Sequence, residues 1–174
     1  MREAGRKTLP WTLTLCGAAL YAYFLVGGGA GYSTEARAMP PLDAARLDTG
    51  QVVSNQTLQG HPVILNVWSP SCAPCRHEMP SLDRVAGDYA GRVEVLGLMA
   101  WGNVDEGRAI QKSIDLKHLP LLAGGSAFLS ALDVDSVPTT FFIRADGTIA
   151  ARQVGMRGEG FFRDQADKLL AGKL

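Results

Sequence analysis

The apolar positions along this chain change period several times, and each change predicts an element. Val63-Ile-Leu-Asn-Val-Trp68 is a compact β-rich run, the pattern of a strand buried on both faces. Ser69-Pro-Ser-Cys-Ala-Pro-Cys75 is a turn that leads into a helix. That helix extends toward Tyr89, with Met79, Leu82, Val85 and Ala86 at helical spacing and Pro80 as a kink. Val93 to Met99 returns to the strand pattern and ends on Met99 and Trp101, both read as core. Asp105 to Leu116 predicts a helix, followed by the short piece Leu119-Pro-Leu-Leu122, and Ala127 to Leu132 predicts a shorter helix. Thr139-Thr-Phe-Phe-Ile143, the turn Ala145-Asp-Gly147 and Thr148 to Arg152 read as a β-hairpin. Gly160 to Ala171 closes as an amphipathic helix with Phe161, Phe162, Leu169 and Leu170 on its apolar side. Upstream, Leu47 to Val53 gives two strand pieces around Asp-Thr-Gly. The order predicts an α/β domain over residues 42–174, with a central mixed sheet flanked by helices.

The N-terminal segment follows another rule. Arg2, Arg6 and Lys7 precede Trp11 to Ala30, which holds no charged residue. About 20 uncharged residues suffice for a bilayer span, and positive charge before the run keeps the N-terminus on the cytoplasmic side. Residues 1–32 therefore read as an uncleaved transmembrane signal anchor, and residues 33–41, polar and proline-bearing, as a linker. The alternative is a signal peptide cleaved after Ala38 at Ala36-Arg37-Ala38, which releases a soluble domain. That site lies farther past the apolar run than such cleavage sites usually do. Both readings place the domain outside the cytoplasm.

Composition narrows the partners. Lys plus Arg and Asp plus Glu are equal at 17 each, so there is no basic excess to attract nucleic acid. Cysteine usage says more. Cys16 lies in the apolar N-terminal run, and only Cys72 and Cys75 fall in the predicted domain. A bridge over so short a loop constrains the unfolded chain little, so chemistry is the better reason for the pair. The first turn of a helix offers unpaired N–H groups and a positive partial charge, which stabilise a thiolate at Cys72. Pro74 fits that turn because it has no N–H to satisfy. Cys72 can then attack a disulfide, and Cys75 can resolve the mixed disulfide. A zinc site would need two further ligands, and His61, His77 and His118 are isolated along the chain, so no metal is expected.

The segment from Asn66 through Cys72-Ala-Pro-Cys75 to Leu82 resembles the active-site region of the TlpA/ResA-like thiol–disulfide oxidoreductases. Val137-Pro-Thr-Thr-Phe-Phe-Ile-Arg-Ala-Asp-Gly-Thr-Ile149 resembles that family's cis-proline loop and the hairpin after it. The resemblance covers residues 45 to 171 and implies a thioredoxin-like fold, often anchored to the bacterial inner membrane with the catalytic domain in the periplasm. It implies that Cys72 attacks, that Cys75 resolves, that Glu78 is the active-site glutamate and that Pro138 is the cis-proline. Val137 would then present its backbone to an extended substrate. Trp68 reads as packing beside the site or as a substrate contact. Arg76 and His77 read as solvated surface. Ser71 departs from the family, which commonly has tryptophan there.

The redox-active disulfide Cys72–Cys75 is the only prosthetic element expected. Ala73 and Pro74 carry no charge and Glu78 repels a thiolate when ionised, so a reductant is expected. By family analogy its substrates are protein disulfides, such as those of apocytochrome c or copper-delivery proteins. Its electrons come from a membrane donor, and the chain acts as a monomer. A peroxiredoxin-type peroxidase is the neighbouring alternative; Ser69 matches its hydroxyl position, but Leu65 stands where its proline belongs. A copper-binding module using Cys72, Cys75 and His77 is the third reading.

Overall fold

The computed structural model describes residues 31–174. Residues 1–30 of the predicted anchor, Cys16 among them, lie outside the described residues, whereas its last two, Gly31 and Tyr32, fall within them. Among the described residues no helix is long and apolar enough to cross a membrane.

The strands are β1 (Tyr32–Ala38), β2 (Asp43–Arg46), β3 (Val52–Ser54), β4 (Val63–Trp68), β5 (Glu94–Met99), β6 (Leu121–Gly124), β7 (Thr139–Ile143) and β8 (Thr148–Val154). The helices are α1 (Asn55–Leu58), α2 (Ala73–Asp88), α3 (Val104–Ser113), α4 (Ser126–Ala131) and α5 (Glu159–Leu170). One mixed sheet runs β1-β8-β7-β4-β5-β6-β2-β3. β4, β5 and β6 are parallel, joined by helical crossovers, whereas β7 and β8 add as an antiparallel hairpin on the other side of β4.

β4 is the central strand, and its burial explains its apolar run: all six residues are buried. Successive side chains point to opposite faces. Ile64 and Trp68 pack with Met79, Leu82 and Val85 of α2 and Phe162, Ala166 and Leu169 of α5. Val63, Leu65 and Val67 pack on the other face with Leu58 of α1 and Phe128 and Leu129 of α4. Each fully buried Leu, Val or Phe contributes about 1.5–3 kcal/mol, so the two layers hold β4 and α2 in fixed relation.

Three expectations are corrected, and one short helix was not foreseen. Residues 33–41 are not a free linker: Tyr32 to Ala38 pairs antiparallel with β8, Tyr32 opposite Gln153 and Ala38 opposite Thr148. This edge strand is held through its backbone, and its side chains are mostly exposed or half-buried, so it carries little apolar signal. Its Glu35 and Arg37 are the charges that guard an exposed sheet edge. The short helix α1 has no sequence period of its own. Leu170 is 42% exposed, because the buried stripe of α5 runs through Phe162, Ala166 and Leu169, one position away around the helix. Trp101 is 46% exposed, because β5 ends at Met99 and the chain turns outward through Gly102, whose φ is +102°.

Candidate active site

The site is built at one end of the sheet, where the C-terminal end of β4 lies beside the N-terminal end of β7, Val67 opposite Thr139. The chain leaves β4 through a turn in which the Cys72 N–H bonds the Ser69 carbonyl at 3.1 Å. Cys72 is the N-cap of the 16-residue helix α2 and Pro74 lies in its first turn. The Cys75 N–H donates to Cys72 Sγ at 3.1 Å. One of the helix's orphan donors is thus aimed at Cys72 Sγ, and both it and the helix dipole would favour negative charge on that sulfur. Cys72 and Cys75 are joined as a disulfide. Cys72 is half-buried and Cys75 fully buried, so an incoming partner meets Cys72 first.

Glu78 lies three residues beyond Cys75, on the same face of α2. It is not the solvated helix residue its charge suggests, because only 2% of its surface is exposed. Its Oε2 accepts the Arg157 N–H at 3.1 Å and its Oε1 accepts Asn66 Nδ2–H at 2.8 Å. Burial pushes its pKa up from 4.5 to about 7, against the opposing pull of the Arg157 and Asn66 hydrogen bonds. Near neutral pH the carboxyl is therefore divided between acid and base, the condition a proton carrier needs. The repulsion expected from its negative charge acts only on the ionised fraction.

The Val137–Pro138 peptide bond is cis, as the family resemblance implied. Pro138 is buried and its carbonyl accepts the Gly155 N–H at 2.8 Å, which ties the loop to the end of β8. Val137 is half-buried, and among the described residues neither its N–H nor its C=O has a backbone partner. Arg76 and His77 are exposed, as read. Of the two readings of Trp68, the structure agrees with packing: it is 0% exposed on the α2 side of β4, so it has no surface to offer a substrate, and the substrate-contact reading is corrected.

Two contributors were not foreseen. Arg157 acts through its main-chain N–H, which no side-chain pattern announces. Thr140 accepts the second Asn66 Nδ2–H at 3.0 Å. Asn66 itself was visible as the one polar residue in the run Val63 to Trp68.

A mixed sheet flanked by helices, a disulfide at the N-terminus of the helix after the central strand and a cis-proline just before the neighbouring strand together define a thioredoxin-like fold. The profile of the AhpC/TSA family matches residues 36–152, and the chain belongs to that family. The chain is 31% identical over 110 residues to the thioredoxin-like protein YneN of Bacillus subtilis, covering 62% of this chain and 64% of that protein. It is 29% identical over 107 residues to the thiol-disulfide oxidoreductase ResA of Bacillus cereus, covering 61% of this chain and 62% of ResA. The chain thus spans less than two thirds of the length of these relatives. Among solved structures, a thioredoxin-family thiol:disulfide interchange protein from Chlorobium tepidum superposes with a TM-score of 0.70 at 22% identity. The overlap covers 79% of this chain and 99% of that one, a likeness of fold.

Proposed function

We propose that this protein is an extracytoplasmic thiol–disulfide oxidoreductase that reduces disulfides in other proteins. The observation that carries the reading is the pairing of Cys72, capped by an N–H of its own helix, with a buried acid one turn past Cys75. In the reduced state the Cys72 thiolate attacks a substrate disulfide, forms a mixed disulfide and releases one substrate sulfur as a thiolate that takes up a proton. The Cys75 thiol passes its proton to the Glu78 carboxylate and attacks Cys72 Sγ. The Cys72–Cys75 bond closes and the second substrate thiolate leaves. Two electrons have then moved from the dithiol to the substrate, and an external dithiol donor must restore the reduced state.

Val137 offers a free N–H and C=O to an extended substrate strand, which gives main-chain recognition with little demand on sequence. The charged start and uncharged run at the N-terminus support attachment to a membrane, and a donor in that membrane. Apocytochrome c and copper-delivery proteins are the proposed substrate class, by analogy with the TlpA/ResA-like proteins. Uncharged Ala73 and Pro74 support a reduction potential nearer about −270 mV than about −120 mV. The test is insulin-disulfide reduction together with trapping: Cys75→Ser accumulates a mixed disulfide with substrate, and Cys72→Ser abolishes both turnover and adduct. An adduct that persists in the Cys72→Ser protein would overturn the reading, as would a potential above about −180 mV for its direction.

A further inference from the structure

The hydrogen bonds around Glu78 have a direction that its proton must reverse. An ionised carboxylate is an acceptor only. Asn66 therefore presents its amide nitrogen, and the two N–H bonds of that nitrogen go to Glu78 Oε1 at 2.8 Å and Thr140 Oγ1 at 3.0 Å. The cost falls on the other end of the amide. Asn66 is 0% exposed, and among the described residues its Oδ1 is buried with no hydrogen-bond partner. Leaving such an acceptor unpaired costs about 1–3 kcal/mol. The arrangement suits the ionised form of Glu78 better than the protonated one.

When Glu78 takes up a proton it gains an O–H donor while its other oxygen still accepts, and both of its present partners, Asn66 Nδ2 and the Arg157 N–H, are donors, so neither can receive that O–H. A half-turn of the Asn66 amide removes the conflict at Glu78, at the cost of moving the unpaired end of the amide from its oxygen to its NH2 group. Oδ1 then occupies the place of Nδ2 and accepts from the Glu78 O–H. Thr140 can follow, because a hydroxyl serves equally as donor or acceptor, and Oδ1 has two lone pairs for the two bonds. The register holds the three groups together: Asn66 faces Thr140 across the β4–β7 ladder, and α2 lays Glu78 over them.

We propose that Asn66 is a positioning residue whose side-chain amide turns over as Glu78 gains or loses its proton, with Thr140 reversing its hydroxyl in step. Both forms of the acid then keep their hydrogen bonds, so neither is trapped when the proton moves to or from Cys75. That catalytic meaning rests on the dithiol–disulfide reading above; the turning of the amide does not. The groups facing Glu78 leave the proton as the only switch. β4 and β7 bring Asn66 and, through it, Thr140, neither of which changes charge. The loop before α5 brings Arg157, whose guanidinium lies over the Phe161 ring at 5.5 Å. α2 brings the two cysteines, which do not titrate while joined.

The experiment is NMR of the full chain in its disulfide form, labelled with carbon-13 and nitrogen-15, titrated from about pH 5 to about pH 9 across the Glu78 midpoint. The Glu78 carboxyl carbon reports the proton. Contacts between the Asn66 amide hydrogens and Thr140 report the amide. At the alkaline end these contacts are expected to be present. They are lost toward the acid end with the same midpoint as the Glu78 carbon. Glu78→Gln, whose amide nitrogen imitates the protonated acid, is expected to show the acid-end pattern at every pH. Asn66–Thr140 contacts that stay constant while Glu78 titrates overturn the proposal, as does an alkaline-end pattern in Glu78→Gln. If that variant folds poorly, the wild-type titration decides alone. A turning amide in a protein that reduces no disulfide would sink the proposed function and leave this inference standing; a fixed amide in an active enzyme would do the reverse.

Discussion

Helix α2 carries two buried carboxylates five positions apart, and they are held in opposite ways. Asp83 Oδ1 accepts three consecutive main-chain N–H groups, from Lys117, His118 and Leu119, at 2.9, 2.7 and 2.8 Å. Glu78 accepts one main-chain N–H and one side-chain amide, and its pKa is pushed up to about 7. Asp83 is a clamp that ties the approach to β6 onto the helix. Glu78 has fewer donors and deeper burial, and it follows Cys75 by three residues on the same helix. The contrast lies in how each charge is answered: three main-chain donors converge on one oxygen of Asp83, whereas each oxygen of Glu78 meets a single donor.

The largest expected effect is at Glu78. Glu78→Gln should slow closure of the Cys72–Cys75 bond by about 10²–10⁴-fold, the usual worth of a placed acid–base group, read by stopped-flow exchange. The same change should strengthen the fold in alkali. The folded pKa of about 7 stands above the ordinary value of 4.5. The stability linked to that proton is thus fully present below 4.5 and lost as the pH rises through 7. Denaturant unfolding of the disulfide form should find the glutamine variant more stable by up to about 3 kcal/mol at pH 8.5, with the gain vanishing at pH 4. Asp83→Ala should act the other way, with a loss of about 2–3 kcal/mol at pH 7 from three stranded N–H groups and no shift in the pH dependence of exchange. If Asp83→Ala moved that pH dependence, the division between clamp and acid would break down. The smallest effect is expected at Arg157→Ala. It keeps the N–H that holds Glu78 and removes only the guanidinium over Phe161, so stability should fall by about 0.5–1 kcal/mol with the Glu78 midpoint unmoved.

Much of this was legible in the sequence where side chains write the pattern. The unbroken run Val63 to Trp68 announced a two-faced strand, and Cys72-Ala-Pro-Cys75 after it announced a helix-capped thiol pair. Glu78 was visible as a residue but not as an acid with a raised pKa, because burial depends on α2 packing over β4. Main-chain partners were invisible throughout. Tyr32 to Ala38 reads as a linker because its bonds to β8 run through the backbone, and the Arg157 N–H bears no relation to its side chain. Trp68 packs in the core, one of its two expected places, whereas Trp101, expected there too, is exposed. Position in a strand decides burial, and a single turn through Gly102 is enough to expose the second.

The central claim is that Glu78 exchanges a proton with Cys75 as the disulfide closes. The most direct measurement is a single-turnover one. A mixed disulfide between Cys72 and a small thiol is formed, and the rate of its resolution by Cys75 is followed from about pH 5 to about pH 9. The account predicts a break in the wild-type profile near pH 7 that disappears in Glu78→Gln. Superimposable profiles in the two proteins would contradict it.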